Sequence, residues 1–226
     1  MKIRMKFTKT GVMKFVGHLD LLRVFQKTFR RASVPMAYSQ GFNPHQLISI
    51  GAPLPIGVTS EGEYIDIVIK EKLEKEKAIH MINEVVPSGL RITDWLELED
   101  DAKTSMAIIE AGTYSIQPNM WELSVEDTKK AIEAFMSQEE ILIMKESKKK
   151  RREVNIKEGI LMLNFTDDKE FKMFLATGSK LNTKPDLVLE AFSKFINKEF
   201  KPFEYRIHRN ELYAFAEGSF KPLDQL

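Results

Sequence analysis

The sequence predicts an α+β chain of two βαββαβ units in tandem, the second carrying an extra strand or strands. Three observations lead there. Short apolar segments alternate with period two, the segments between them carry apolar stripes at helical spacing, and the order of elements begins again after the acidic break Glu97-Leu98-Glu99-Asp100-Asp101. At 226 residues the chain exceeds an ordinary compact domain, so two of about 100 residues each are expected. They are placed at residues 1–98 and 108–226.

In the first segment Ile3, Met5 and Phe7 alternate with Lys2, Arg4, Lys6 and Thr8, as in a half-buried strand. From His18 to Ala32 a helix follows: Leu22, Phe25, Phe29 and Ala32 fall on one face, with Arg23, Lys27, Arg30 and Arg31 opposite. Pro35 ends it by disfavouring helical geometry in its predecessor. An extended piece spans Gln46 to Gly51. In the strand Glu63 to Lys70, Ile65, Ile67 and Ile69 alternate with Tyr64, Asp66 and Val68. A helix from Glu74 to Val85 and a strand from Leu90 to Leu96 complete the βαββαβ order of a ferredoxin-like domain.

Past the acidic break the pattern restarts. Tyr114–Gln117 reads as a strand, Val125–Met136 as a helix with Ile132 and Phe135 inward, and Ile141–Lys145 as a strand. Gly159–Phe165 and Phe171–Ala176 form a hairpin around Thr166-Asp167-Asp168, Leu187–Ile196 a helix, and Phe203–Phe215 the last strands. No residue-level repeat links the halves; their likeness rests on element order.

Composition excludes several functions. The chain has no cysteine, which removes disulfides, thiolate catalysis and cysteine-bound zinc or iron–sulfur clusters. It carries no Gly-rich Lys-Ser/Thr phosphate loop, no dinucleotide fingerprint and no nucleophile elbow, so neither cofactor nor metal is assigned. No apolar run approaches the ~20 residues of a membrane span, and Met1-Lys2-Ile3-Arg4 leads into a strand rather than a signal sequence. A soluble, cytoplasmic protein is expected.

A net charge of +1 conceals an uneven distribution. Residues 1–50 hold nine lysines and arginines (2, 4, 6, 9, 14, 23, 27, 30 and 31) against the single acid Asp20, an address for an anion. If Ile3, Met5 and Phe7 face the helices, Lys2, Arg4 and Lys6 line the open sheet face near Tyr64, a surface suited to phosphates and a stacked base. The same row also reads as a guard against edge-to-edge association. The helical stripe of Arg23, Lys27, Arg30 and Arg31 is the second basic element, or the solvated face of an amphipathic helix. Lys148, Lys149, Lys150, Arg151 and Arg152 form a third, read as a solvated loop or a flexible basic arm.

The densest unusual chemistry lies from Tyr38 to His45, Tyr-Ser-Gln-Gly-Phe-Asn-Pro-His. Ser39, Gln40, Asn43 and His45 bring more hydrogen-bonding capacity than a turn needs. His18 and His45 both lie in polar clusters. Two imidazoles brought together are able to serve as acid and base in phosphodiester cleavage. With Asp20 or Glu61 they are alternatively a metal set, although neither spacing is diagnostic, and His18 also suits a structural role at a helix start.

The segments Gly17-His18-Leu19-Asp20, Arg30-Arg31, Tyr38 to His45, Leu54-Pro55-Ile56-Gly57 and Ser60-Glu61-Gly62-Glu63-Tyr64 together resemble the radical SAM-linked domain family of unknown function. The resemblance runs over essentially the whole length. Gly-Phe-Asn-Pro-His is its most specific part, and Lys148 to Val154 is similar to a weaker family motif. Where the family continues with Pro-Lys and Ser, this chain has Gln46-Leu47-Ile48-Ser49. The resemblance implies a bacterial protein made beside, or fused to, a cobalamin-binding radical SAM protein, with ribonuclease E/G and ribosomal proteins encoded nearby. It supplies no catalytic residues. It agrees with the cysteine count: a radical SAM cluster takes three cysteines, and this chain is therefore the accessory part.

The expected function is an accessory, non-catalytic protein that binds transfer or ribosomal RNA and presents it to a radical SAM partner. Lys2, Arg4, Lys6, Arg23, Lys27, Arg30 and Arg31 would hold phosphates, and Ser39, Gln40, Asn43 and His45 would recognise a specific group. The alternatives are a metal-independent endoribonuclease of ferredoxin-like type acting through His18 and His45, and a pure protein-interaction adaptor.

Overall fold

The computed structural model describes residues 1–147 and 150–226; for 145–147, 150 and 151 the description is of backbone alone. The chain forms two units, Met1–Ile109 together with Glu211–Leu226, and Glu110–Asn210. The first stretch of the first unit ends at Ile109, where residue 98 was expected. The expectation that the second domain runs to the C-terminus is corrected, because the chain returns to the first unit at Glu211.

In the first unit β1 (Lys2–Lys9) is followed by a 3-10 turn (Gly11–Phe15), α1 (His18–Arg31), β2 (Ile48–Ile50), β3 (Thr59–Val68), α2 (Lys75–Asn83), β4 (Leu90–Leu98) and a short α3 (Ser105–Ile108). The paired order is β4-β1-β3-β2, and these neighbours are antiparallel. Ile3, Met5 and Phe7 are fully buried and meet α1 through Phe25, whose ring lies 4.9 Å from Phe7, edge to face. Phe29 stacks on Phe25 at 5.7 Å. α1 buries Leu21 together with the predicted Phe25 and Phe29, and Ala32 at its C-cap, while Leu22 is half-buried against the same core. Asp20 in its first turn and Arg30 and Arg31 in its last complement the helix dipole. The carboxylate of Glu74 caps α2, accepting from the amides of Glu76 and Lys77 at 3.1 and 2.9 Å. Gly89 stands at φ +91°, and a Cβ there would come within 2.6 Å of the Thr10 carbonyl.

Across the first sheet Lys2 pairs with Val68, Arg4 with Asp66 and Lys6 with Tyr64, so these residues share the face opposite the helices. That face is not the open basic surface expected from alternation. Arg4 is 2% exposed, its Nε donating to Asp66 Oδ1 at 2.9 Å and its Nη2 to the Lys103 carbonyl at 2.9 Å. Lys6 Nζ lies between Glu211 and Asp224, 2.6 Å from Asp224 Oδ2. Lys2 Nζ donates to the Ala102 carbonyl at 3.0 Å. Segments distant in sequence thus cover the face with acceptors and with a small second core of Tyr64, Ile109, Leu212, Ala214 and Leu223.

The second unit contains β5 (Ala111–Pro118), α4 (Val125–Met136), β6 (Leu142–Ser147), β7 (Lys150–Asn155), β8 (Ile160–Phe165), β9 (Phe171–Ala176), α5 (Pro185–Phe195) and the first half of β10 (Tyr205–Ala216). Its strands run β10-β5-β9-β8. β6 and β7 stand apart as an antiparallel hairpin, so part of the basic run is strand rather than loop. Ser124 Oγ caps α4 at Asp127 N, 3.0 Å, and Pro185 opens α5 where its missing N–H costs nothing. Trp121 packs edge-on to Phe171 at 5.0 Å beside Phe165 and Phe192. The end of β10 and β11 (Ser219–Pro222) then pair in the first unit. Among the described residues no helix is long and apolar enough to cross a membrane.

Candidate functional site

The segment after α1 is held against the end of β3. Ser33, at φ +54°, turns the chain out of the helix while Val34 N donates to the Phe29 carbonyl. Ala37 N then donates to the Val68 carbonyl at 2.8 Å and Lys70 N to the Pro35 carbonyl at 2.7 Å. From this base the Tyr38 to His45 loop rises on a hydrogen-bonded neck. Leu47 N reaches the Ala37 carbonyl at 3.0 Å, Tyr38 bridges Gln46, and Ser39 N donates to the His45 carbonyl at 2.9 Å. Ser39 Oγ accepts from His45 N at 3.1 Å and lies 2.8 Å from its Nδ1. When the hydroxyl donates to Nδ1, the ring proton sits on Nε2.

Above the neck, Gln40, Gly41, Phe42, Asn43 and Pro44 are all exposed. Gly41 takes φ +113°, a conformation that L side chains rarely adopt. Phe42, at 108% relative exposure, presents its whole ring to solvent. Burying a Phe side chain is worth about 1.5–3 kcal/mol, which this ring does not contribute to the fold. Below it Lys70 Nζ lies 5.9 Å from the ring centroid of Tyr38.

α1 supplies the charge. Arg23 is paired with Asp20 at 2.9 Å. Lys27, Arg30 and Arg31 are exposed and have no carboxylate partner among the described residues. Unpaired cations leave their field open to an incoming anion.

The two histidines sit in different local settings. His45 is bound to Ser39, His18 is half-buried at the first position of α1, and among the described residues no hydrogen bond joins them. No group of three or more His, Asp or Glu among the described residues is placed to hold a metal, so the set of His18, His45 with Asp20 or Glu61 is not assembled.

The Lys6 cluster is a structural clasp. Tyr64 OH donates to Glu211 Oε1 at 2.9 Å, and burial, reinforced by the Glu211 carboxylate, pushes the phenol far above its ordinary pKa. Burial works against the Lys6 ammonium, but its bonds to Asp224 and Glu211 outweigh that and raise its pKa.

In the second unit Arg152 is exposed, across the hairpin from Lys145. Lys150 and Arg151 lie on β7 opposite Ser147 and Glu146; Lys148 and Lys149 lie outside the described residues. Sequence reasoning passed over Phe42. Its signal was an aromatic ring lodged between Gly41 and Asn43-Pro44, in phase with no apolar stripe.

A family model described as an uncharacterized protein conserved in bacteria, DUF2344, matches residues 2–185. No curated protein matches the chain. Among solved structures the chain is similar to one in a Cbf5-Nop10-Gar1 complex, at 11% identity and a TM-score of 0.49, over 93% of this chain and 48% of that one. It therefore spans about half the length of that neighbour.

Proposed function

The chain belongs to that bacterial family, and from this premise we propose that it is an RNA-binding accessory protein built on two ferredoxin-like modules, presenting transfer or ribosomal RNA to a radical SAM partner that binds cobalamin. The observation that carries the RNA reading is the fully exposed Phe42 ring on a neck fixed by Ser39 and His45. A ring offers every base a stacking face, while Gln40, Asn43 and His45 beside it are able to hydrogen-bond base edges. Lys27, Arg30 and Arg31 hold phosphates, and in the second unit Arg152 is a separate candidate for the same role. Arg4 and Lys6 leave the list, since each is engaged by a carboxylate.

The radical SAM partner rests on the sequence resemblance and on the absence of cysteine for a cluster. The test is binding of cellular RNA across a salt series. Each phosphate contact adds about 0.7–0.9 to the slope of log affinity against log salt, so Arg30→Ala with Arg31→Ala lowers it by roughly 1.4–1.8. Undetectable or salt-insensitive binding by the unaltered protein overturns the reading. Metal-free incubation with labelled RNA separates the enzyme alternative: intact RNA fits a binder, and cleavage lost in His45→Ala fits a nuclease.

A further inference from the structure

The face of the first sheet opposite the helices carries an opening that the RNA reading does not use. Two rows of side chains cross this face. Leu96, Arg4, Asp66 and Ser49 form one, and Leu98, Lys2, Val68 and Leu47 the next, the last placed by its carbonyl accepting from Val68 N at 3.1 Å. The first row is covered: Arg4 donates to the Lys103 carbonyl, and Ser105 N donates to Asp66. Over the second row a cavity of about 240 Å³ lies between Leu47, Val68, Leu98 and the covering residues Ala102, Lys103 and Thr104.

Its chemistry is specific. The walls are largely aliphatic; the polar residues among them are Ser49, Asp66, Thr104 and two lysines, Lys2 and Lys103. Arg4 and Asp66 neutralise each other at 2.9 Å. Lys2, at the rim, donates only to the neutral Ala102 carbonyl and has no carboxylate partner among the described residues. A largely apolar cavity lined by two lysines, with its one carboxylate Asp66 already paired to Arg4, selects an apolar body bearing a negative charge. The volume sets the size, since an apolar cavity of ~150 Å³ already accepts benzene. We infer that this cavity is a binding site for a small amphiphilic monoanion, a carboxylate on one ring or on a chain of about six carbons, with Lys2 holding the anionic group.

The probes are sodium hexanoate, hexan-1-ol and hexylammonium, titrated into isotopically labelled intact protein and followed by backbone amide shifts. Saturable shifts are expected at Leu47, Ser49, Val68 and Ala102, with hexanoate binding roughly tenfold or more tightly than the alcohol and the ammonium weakest. Lys2→Met should remove the advantage of hexanoate while leaving binding of the alcohol unchanged. Ser49 projects from the same face as Asp66, so Ser49→Phe fills the opening and should abolish binding of both hexanoate and alcohol. The inference is overturned by equal binding of the three probes, by shifts confined to other residues, by no saturable shift, or by binding that survives both substitutions.

Discussion

Replacing Phe42 by alanine separates recognition from stability more cleanly than any other change. The ring is 108% exposed and packs against nothing in the protein, so its removal should alter unfolding free energy by no more than about 0.5 kcal/mol. A base stacked on an aromatic is worth roughly 1–3 kcal/mol, which converts to a loss of about 5- to 150-fold in RNA affinity. No charge changes, so the salt slope should stay that of the unaltered protein while the whole line drops. Phe42→Trp should retain or improve affinity. The assay is fluorescence anisotropy with a labelled RNA hairpin at several salt concentrations, beside thermal unfolding of each variant. Unchanged affinity in Phe42→Ala would refute the stacking role; so would a loss matched by a fall in Tm, which would show that the ring supports the fold.

The clasp at the C-terminus gives a second prediction: Lys6→Met leaves Glu211 and Asp224 uncompensated and should cost about 3–5 kcal/mol in chemical denaturation, part of it regained by adding Asp224→Asn. Phe25→Ala, at the centre of the first core, should cost roughly 3–5 kcal/mol by the same assay. Gly89→Ala forces a Cβ against the Thr10 carbonyl at positive φ, and a loss of about 1–3 kcal/mol is expected. Asp94 supplies a pH dependence. Burial taken alone would raise its pKa, but the Lys75 ammonium at 2.5 Å and the Trp95 N–H outweigh it, and the folded value lies below the ordinary one. The stabilisation is therefore present above the unfolded pKa near ~4 and is lost as pH falls through the folded value. Asp94→Asn should flatten the stability curve in that acid window, and an unchanged acid limb would contradict the assignment.

Local pattern carried much of the fold. Ile3, Met5 and Phe7 declared a buried face by alternation alone, and the Phe25–Phe29 stripe was legible because a helix repeats every 3.6 residues. What alternation cannot tell is what covers the opposite face. Arg4 and Lys6 looked like surface cations because their partners, Asp66, Glu211 and Asp224, lie 62 to 218 residues away in sequence. The return of the chain at Glu211 was hidden for the same reason, since β10 is one uninterrupted strand with nothing in its composition to mark the change of unit. The Tyr38 to His45 loop was visible as a polar cluster, but the exposure of Phe42 follows from the neck that Ser39 and His45 close.

The most direct measurement is a map of where RNA touches the intact protein, by photo-crosslinking to a transfer or ribosomal RNA fragment and sequencing of the linked peptides. The account predicts crosslinks at Phe42 and its neighbours from Tyr38 to His45, together with the peptide bearing Lys27, Arg30 and Arg31. Crosslinks absent from both segments, or no crosslinked RNA at all, would contradict it.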